Sequence, residues 1–228
     1  MMQPENRPTT PMETYPWQVL WNLLIALVDH AKQHRRLLLV GWLGVLLACL
    51  ILLLFDRDLA TWLSPAERGG WINEWARGLS YWGDFLTFCV PVGLILAALG
   101  WIVRRGDLKR AGLACILGAA MAGLCADAVQ IAVGRPRPRS QSQEAMTGFN
   151  LKSEFHAFPS GHSATQFGSA TALAVCYPPA APVLMVASAG VAWSRLYLGA
   201  HYVSDVVAGS ALGICFGWLV GRAARRPR

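Results

Sequence analysis

Two histidines, an aspartate and a set of arginines recur at fixed offsets in a chain otherwise short of charge. The stretch "SRLYLGAHYVSD" (194–205) interrupts apolar sequence on both sides. His201 and Asp205 are four apart, so on a helix they share one face within contact range. A carboxylate there can accept the imidazole's N–H, fix its tautomer and leave the other nitrogen free as nucleophile or base. Arg195 ends the preceding apolar run, within reach of the short turn; taken alone, the stretch also fits a capping Asp beside a surface His.

Two further clusters carry the same kind of chemistry. In "FPSGHS" (158–163), Pro159 stops any preceding helix, Gly161 permits close backbone approach, and Ser160 suits the N-cap of a helix opening near His162. Unpaired N–H groups at such a helix start attract anions, and His162 could exchange a proton with one. An ordinary Ser cap is the plainer alternative. In "QIAVGRPRPR" (130–139), Arg135, Arg137 and Arg139 alternate with Pro136 and Pro138, which hold the segment extended. The planar guanidinium matches phosphate oxygens at two points; a basic loop against lipid head groups is the alternative.

The elements that must position these clusters are membrane helices. Of 228 residues 54% are hydrophobic and 14% charged, with mean hydropathy +0.38; soluble domains carry roughly a quarter charged residues. Apolar runs at about 37–55, 85–103, 111–133, 161–177, 181–197 and 203–220 predict an all-α integral membrane bundle of six transmembrane helices. The basic segments at 34–36, 104–110 and 222–228 then share one side, expected to be the cytoplasm. All three polar clusters fall on the opposite side, where the arginines of "RPRPR" break the positive-inside pattern and need another reason to be present.

This reading divides the chain into an N-terminal segment (1–36), a six-span domain (37–222) and a basic tail (223–228). The N-terminal segment shows no signal peptide, and its amphipathic stretch 17–28 predicts an interfacial helix or one packed on the bundle. The six cysteines sit singly in apolar runs and read as small hydrophobes, not as a disulfide or zinc framework. The net charge of +7 gathers beside the spans, favouring anionic lipids over nucleic acid as partner.

At these residues the chain resembles the type 2 phosphatidic acid phosphatases, the PAP2 superfamily. That pattern runs Lys, six residues, Arg-Pro; then Pro-Ser-Gly-His; then Ser-Arg, five residues, His, three residues, Asp. Here "PSGH" (159–162) and "SRLYLGAHYVSD" match in full, and Arg137-Pro138 match the first part. Gln130 stands where the pattern has lysine, leaving Arg135, Arg139 or Lys152 to supply the missing charge.

The resemblance implies a metal-free, cofactor-free phosphatase. His201, oriented by Asp205, would attack phosphorus to give a phosphohistidine. His162 would protonate the leaving oxygen and then activate water. Arg137, Arg195, Ser160 and the N–H of Gly161 would bind the phosphate, with Gln130, Arg135 and Ser194 counted as further phosphate-site candidates. His156 matches no motif position and reads as structural or substrate-facing.

The implied substrate is a lipid phosphate held at the outer face of a bacterial inner membrane: an isoprenoid pyrophosphate or lipid A ahead of a glycerolipid phosphate. The same residues would serve a lipid phosphotransferase, or a lipid-binding or transport protein impaired by the missing lysine. The sequence leaves the oligomeric state open.

Overall fold

The computed structural model describes residues 16–64, 69–140 and 146–225, with side chains from Ile25 onward. Residues 1–15 of the expected N-terminal segment lie outside them. Among the described residues the fold is all-helical, the sole strand-like feature being an isolated bridge between Arg135 and His156.

The helices are α1 (Pro16–Gln33), α2 (Arg35–Leu63), α3 (Gly70–Trp82), α4 (Val90–Ile102), α5 (Gly106–Val133), α6 (Gly161–Cys176), α7 (Ala181–Tyr197) and α8 (Val203–Ala224). A π-helical turn, Phe85–Cys89, leads directly into α4. Four segments are long and apolar enough to cross a membrane: α2, the π-turn with α4, α5 and α8. The expected spans at 161–177 and 181–197 form helices of 16 and 17 residues, shorter than these four.

Small residues explain the central packing. Without a hydrophobic drive between helices inside a bilayer, close backbone approach through Gly, Ala and Ser becomes the main source of contact. A Cβ on Gly168 of α6 would lie 2.7 Å from the Gly118 carbonyl oxygen of α5, and one on Gly217 of α8 would press on the Gly168 carbonyl oxygen. The backbones of α5, α6 and α8 therefore touch. Here α2 behaves oppositely: Cys49 and Asp56 are its buried residues, and Leu39, Val40, Leu43 and Leu54 are exposed, as suits a helix bathed in lipid. In α1, Leu27 is buried in one cluster with Leu219 and Val220, so this part of the helix docks on α8.

The two ends of the bundle differ in chemistry. At one end Arg110 Nε donates to the Ala224 carbonyl (3.1 Å), Arg225 Nη1 to the Val175 carbonyl (3.3 Å) and Tyr177 OH to Asp107 (2.9 Å). His34 meets the Trp218 ring at the same end, with centroids 5.0 Å apart. The basic segments predicted to share a side thus gather around the start of α5 and the ends of α6 and α8. The other end collects the end of α5, the starts of α6 and α8, and the end of α7, the elements that carry the three polar clusters.

Gly168→Ala tests the backbone contact. Its methyl would meet backbone atoms of α5 that have no rotamer through which to move away. We expect a loss of about 1–3 kcal/mol, read as a lower thermal midpoint in detergent. Gly41→Ala on α2, with no atom within 4 Å of the new methyl, should leave the midpoint unchanged.

Candidate active site

Backbone geometry draws the three clusters together. Gly134 closes α5 in the left-handed region (φ 58°), where glycine carries no Cβ penalty, and turns the chain into the arginine segment. That segment is held on both sides: Arg137 N–H donates to the Glu154 carbonyl (2.9 Å) and Arg139 N–H to the Gly199 carbonyl (3.0 Å). The Ser160 N–H donates to the Asp205 carbonyl (2.9 Å), fastening the start of α6 to the first turn of α8.

A cavity of about 480 Å³ opens at this junction, lined by Gln130, Arg137, Gly161, His162, Arg195 and His201 together with Asp84, Asp127 and small residues of α5. Arg195 Nη1 donates to Ser80 Oγ of α3. The Nε atoms of Arg137 and Arg195 are both buried without a partner. A buried guanidinium N–H left unpaired is costly, so two of them on one cavity mark a place for an anion. Burial and the neighbouring Arg139 also pull Arg137 below its ordinary value, so an arriving anion would relieve a strained cation.

His201 is 3% exposed, and its Nδ1 lies 2.7 Å from the Ala157 carbonyl oxygen. A carbonyl can only accept, so Nδ1 carries the proton and Nε2 is left with its lone pair free. This differs from the sequence expectation, which gave that task to Asp205. Asp205 Oδ2 stands 3.8 Å from Nδ1 and instead accepts the Tyr202 N–H at 2.7 Å. The physical reason is that His201 precedes α8, so the i,i+4 relation of a shared helix does not hold.

The other carboxylate oxygen of Asp205 is engaged by Arg135 Nη1. Arg135 also donates to Ser204 Oγ (2.7 Å) and through Nη2 to Asp56 Oδ2 of α2 (2.8 Å), while its guanidinium lies 4.2 Å from the centre of the Tyr202 ring. Ser204 returns a backbone N–H to Asp56 Oδ1 at 3.1 Å. Arg135, expected as a phosphate ligand, is therefore occupied by two buried carboxylates and lies off the cavity lining.

Other expected residues divide in the same manner. Ser160 caps α6, accepting Ser163 N–H at 3.4 Å, and Ser194 donates to the Val191 carbonyl at 2.6 Å; neither lines the cavity. Gln130 lines it, with Nε2 donating to the Pro159 carbonyl at 2.6 Å, so it braces the Pro-Ser-Gly-His turn. His156 Nε2 pairs with the Asn150 carbonyl at 2.9 Å.

Sequence reasoning missed Asp56, Asp84, Ser80 and the Ala157 carbonyl. Asp84 carried a readable signal, since an Asp before an apolar helical run is an N-cap pattern. Asp56, directly after 19 uncharged residues, was visible as a charge at the edge of a span.

A helical integral membrane protein with paired imidazoles and orphaned guanidinium donors on one cavity belongs to the phosphate-handling membrane enzymes. The family follows from comparison: residues 111–227 match the PAP2 superfamily profile, and the chain is a member of that superfamily. It is 28% identical over 182 residues to the lipid A 1-phosphatase of Rhizobium etli, spanning 74% of this chain and 75% of that one. It is 35% identical over 161 residues to the decaprenylphosphoryl-5-phosphoribose phosphatase of Mycobacterium tuberculosis, spanning 67% of this chain and 84% of the relative. Its fold matches a transmembrane PAP2 type phosphatidylglycerolphosphate phosphatase from Bacillus subtilis with TM-score 0.60, at 23% identity over 78% of this chain and 92% of the other. The chain is a phosphatase of this family.

Two measurements test this geometry. Arg135→Met would leave Asp56 and Asp205 buried without their cation, at a cost of about 3–5 kcal/mol. The denaturation midpoint should fall much further than for Arg139→Met, whose side chain is exposed.

The second concerns His201, which burial, then Arg195 and Arg137, hold well below the ordinary 6.5. The unfolded chain then binds a proton near that value that the folded chain refuses. Stability falls as pH drops below it and is unaffected above. The His201 ring resonance in labelled protein should stay neutral from about pH 8 to about pH 6; titration at or above 6.5 would contradict the burial.

Proposed function

We propose that the chain is a lipid phosphatase that releases phosphate from a lipid monoester or pyrophosphate through a phosphohistidine. The observation that carries the reading is His201 with Nδ1 committed to Ala157, leaving Nε2 free on the cavity that also presents His162, Arg137 and Arg195. In the first half-reaction His201 Nε2 attacks phosphorus, and the P–O bond to the lipid breaks. The leaving oxygen takes a proton from His162. In the second, His162 accepts a proton from water as its oxygen attacks phosphorus, and the N–P electron pair returns to His201.

Arg137, Arg195 and the Gly161 N–H at the start of α6 stabilise the charge on the equatorial oxygens in both steps. Gln130, at the motif's lysine position, adds a neutral contact and holds the turn that presents Gly161. No step calls for a metal or cofactor. Asp205 acts through Arg135 and the first turn of α8, keeping His201 in register.

The relatives support a lipid as the carrier of the phosphate, since two are named for phosphatases of lipid A and of a decaprenyl-linked sugar phosphate. The bundle is read with six spans, α6 and α7 included; 16 residues of helix span about 24 Å, enough when their ends sit among protein. With the basic end in the cytoplasm, the site opens on the outer face of a bacterial inner membrane, where a lipid head group enters with its chains still in the bilayer.

Purified parent protein and His201→Ala, assayed in detergent on dioctanoyl phosphatidate, farnesyl pyrophosphate and lipid A, test the reading. The parent should release phosphate from at least one of these, with the variant slower by about a thousandfold or more. Turnover should persist in EDTA and be inhibited by vanadate. Quenching in alkaline detergent, which preserves the acid-labile N–P bond, should trap labelled phosphoryl-histidine on the parent alone, and comparable turnover by both proteins would remove His201 from the chemistry.

A further inference from the structure

Asp84 belongs to none of the family motif segments, yet it faces one of their histidines. It ends the loop after α3 and caps the π-turn, its Oδ1 accepting the Leu86 N–H at 3.0 Å. Its other oxygen, Oδ2, lies 3.7 Å from His162 Nε2. The side chains are 42% and 26% exposed, so the pair faces open space and is not a packed core contact.

A second cavity of about 580 Å³ adjoins the first on the α3 side, and Asp84, His162 and Arg195 line both. His162 thus lines both chambers, with Asp84 beside it.

Electrostatics gives the pair a purpose. To hand a proton to a leaving oxygen, an imidazole must first carry positive charge, and the guanidinium groups of Arg137 and Arg195 on the same cavity oppose that. Asp127 also lines the first cavity, but Asp84 is the carboxylate within ion-pair distance of the ring. A separation of 3.7 Å is longer than a hydrogen bond, and catalytic contacts of this kind commonly tighten once substrate is bound.

We infer that Asp84 is the positioning residue for His162, orienting its ring and balancing the imidazolium that protonates the leaving group. The inference rests on the role proposed for His162 above. Asp84 itself neither gains nor loses a proton: as the N–P bond to His201 forms and the P–O bond breaks, the proton moves from His162 to the departing oxygen. The consequence is selectivity by leaving group. An alkoxide needs that proton before it can depart, whereas p-nitrophenolate departs without it.

The test uses Asp84→Asn, because asparagine retains the capping acceptor and deletes only the charge. Parent, Asp84→Asn and His162→Ala are assayed on dioctanoyl phosphatidate and on p-nitrophenyl phosphate. Asp84→Asn should lower kcat/KM about 10- to 100-fold on the phosphatidate and less than about threefold on the nitrophenyl ester, with the loss in kcat. His162→Ala should show the same pattern more strongly, and Asp84→Asn should add little on top of it. Equal losses on both substrates, or none on either, would overturn the inference for Asp84. Equal losses for His162→Ala would instead overturn the acid role of His162.

Discussion

One guanidinium ties together parts of this protein that are far apart in sequence. Arg135, directly after α5, is held between Asp56 on α2 and Asp205 on α8, and Ser204 closes the ring. All four side chains are buried. Charge burial of this kind is tolerable only when each group finds its partners, so the arrangement is close to all-or-none. It fixes where α2 meets the bundle, how the arginine segment leaves α5, and how the first turn of α8 is set. His201 and Ala157 flank that turn and inherit its geometry.

From this anchor the site follows by short steps. Asp205 offers its backbone carbonyl to Ser160, so the Pro-Ser-Gly-His turn is registered on the same residue whose side chain holds Arg135. Gln130 steadies the carbonyl of Pro159 from the other side. Arg137, two residues beyond Arg135 on an extended proline-bounded strand of chain, is thereby aimed into the cavity while Arg135 points away from it. Simple alternation would put positions 135 and 137 on one side, so it is the pull of Asp56, Ser204 and Asp205 on Arg135 that separates the structural arginine from the cavity-facing one.

How much of this was legible in the sequence depended on the range of the interaction. The helical membrane class, the four longest apolar helices and the convergence of the polar clusters followed from composition and loop charge. The cavity-lining positions of His162, His201, Arg137, Arg195, Gly161 and Gln130 followed from motif spacing. The contacts of Arg135 and Asp205 did not, because they are set by partners dozens of residues away or by whether a helix has already begun at a given position, and Ser194 turns back onto its own helix at Val191. Asp56 and Asp84 lay at the ends of apolar runs as unremarked charges: sequence shows that such a charge needs a partner, not which one it meets. The tautomer-fixing acceptor for His201 was invisible for a different reason, since a backbone carbonyl leaves no mark in a sequence.

The contact of α5, α6 and α8 through Gly118, Gly168 and Gly217 lies just beneath the cavity, whose deepest lining residue on α5 is Ala119. With backbone against backbone there, the chamber has a floor. Such packing leaves no side chain free to swing aside between the cavity and the basic end of the bundle, so the two ends stay chemically separate.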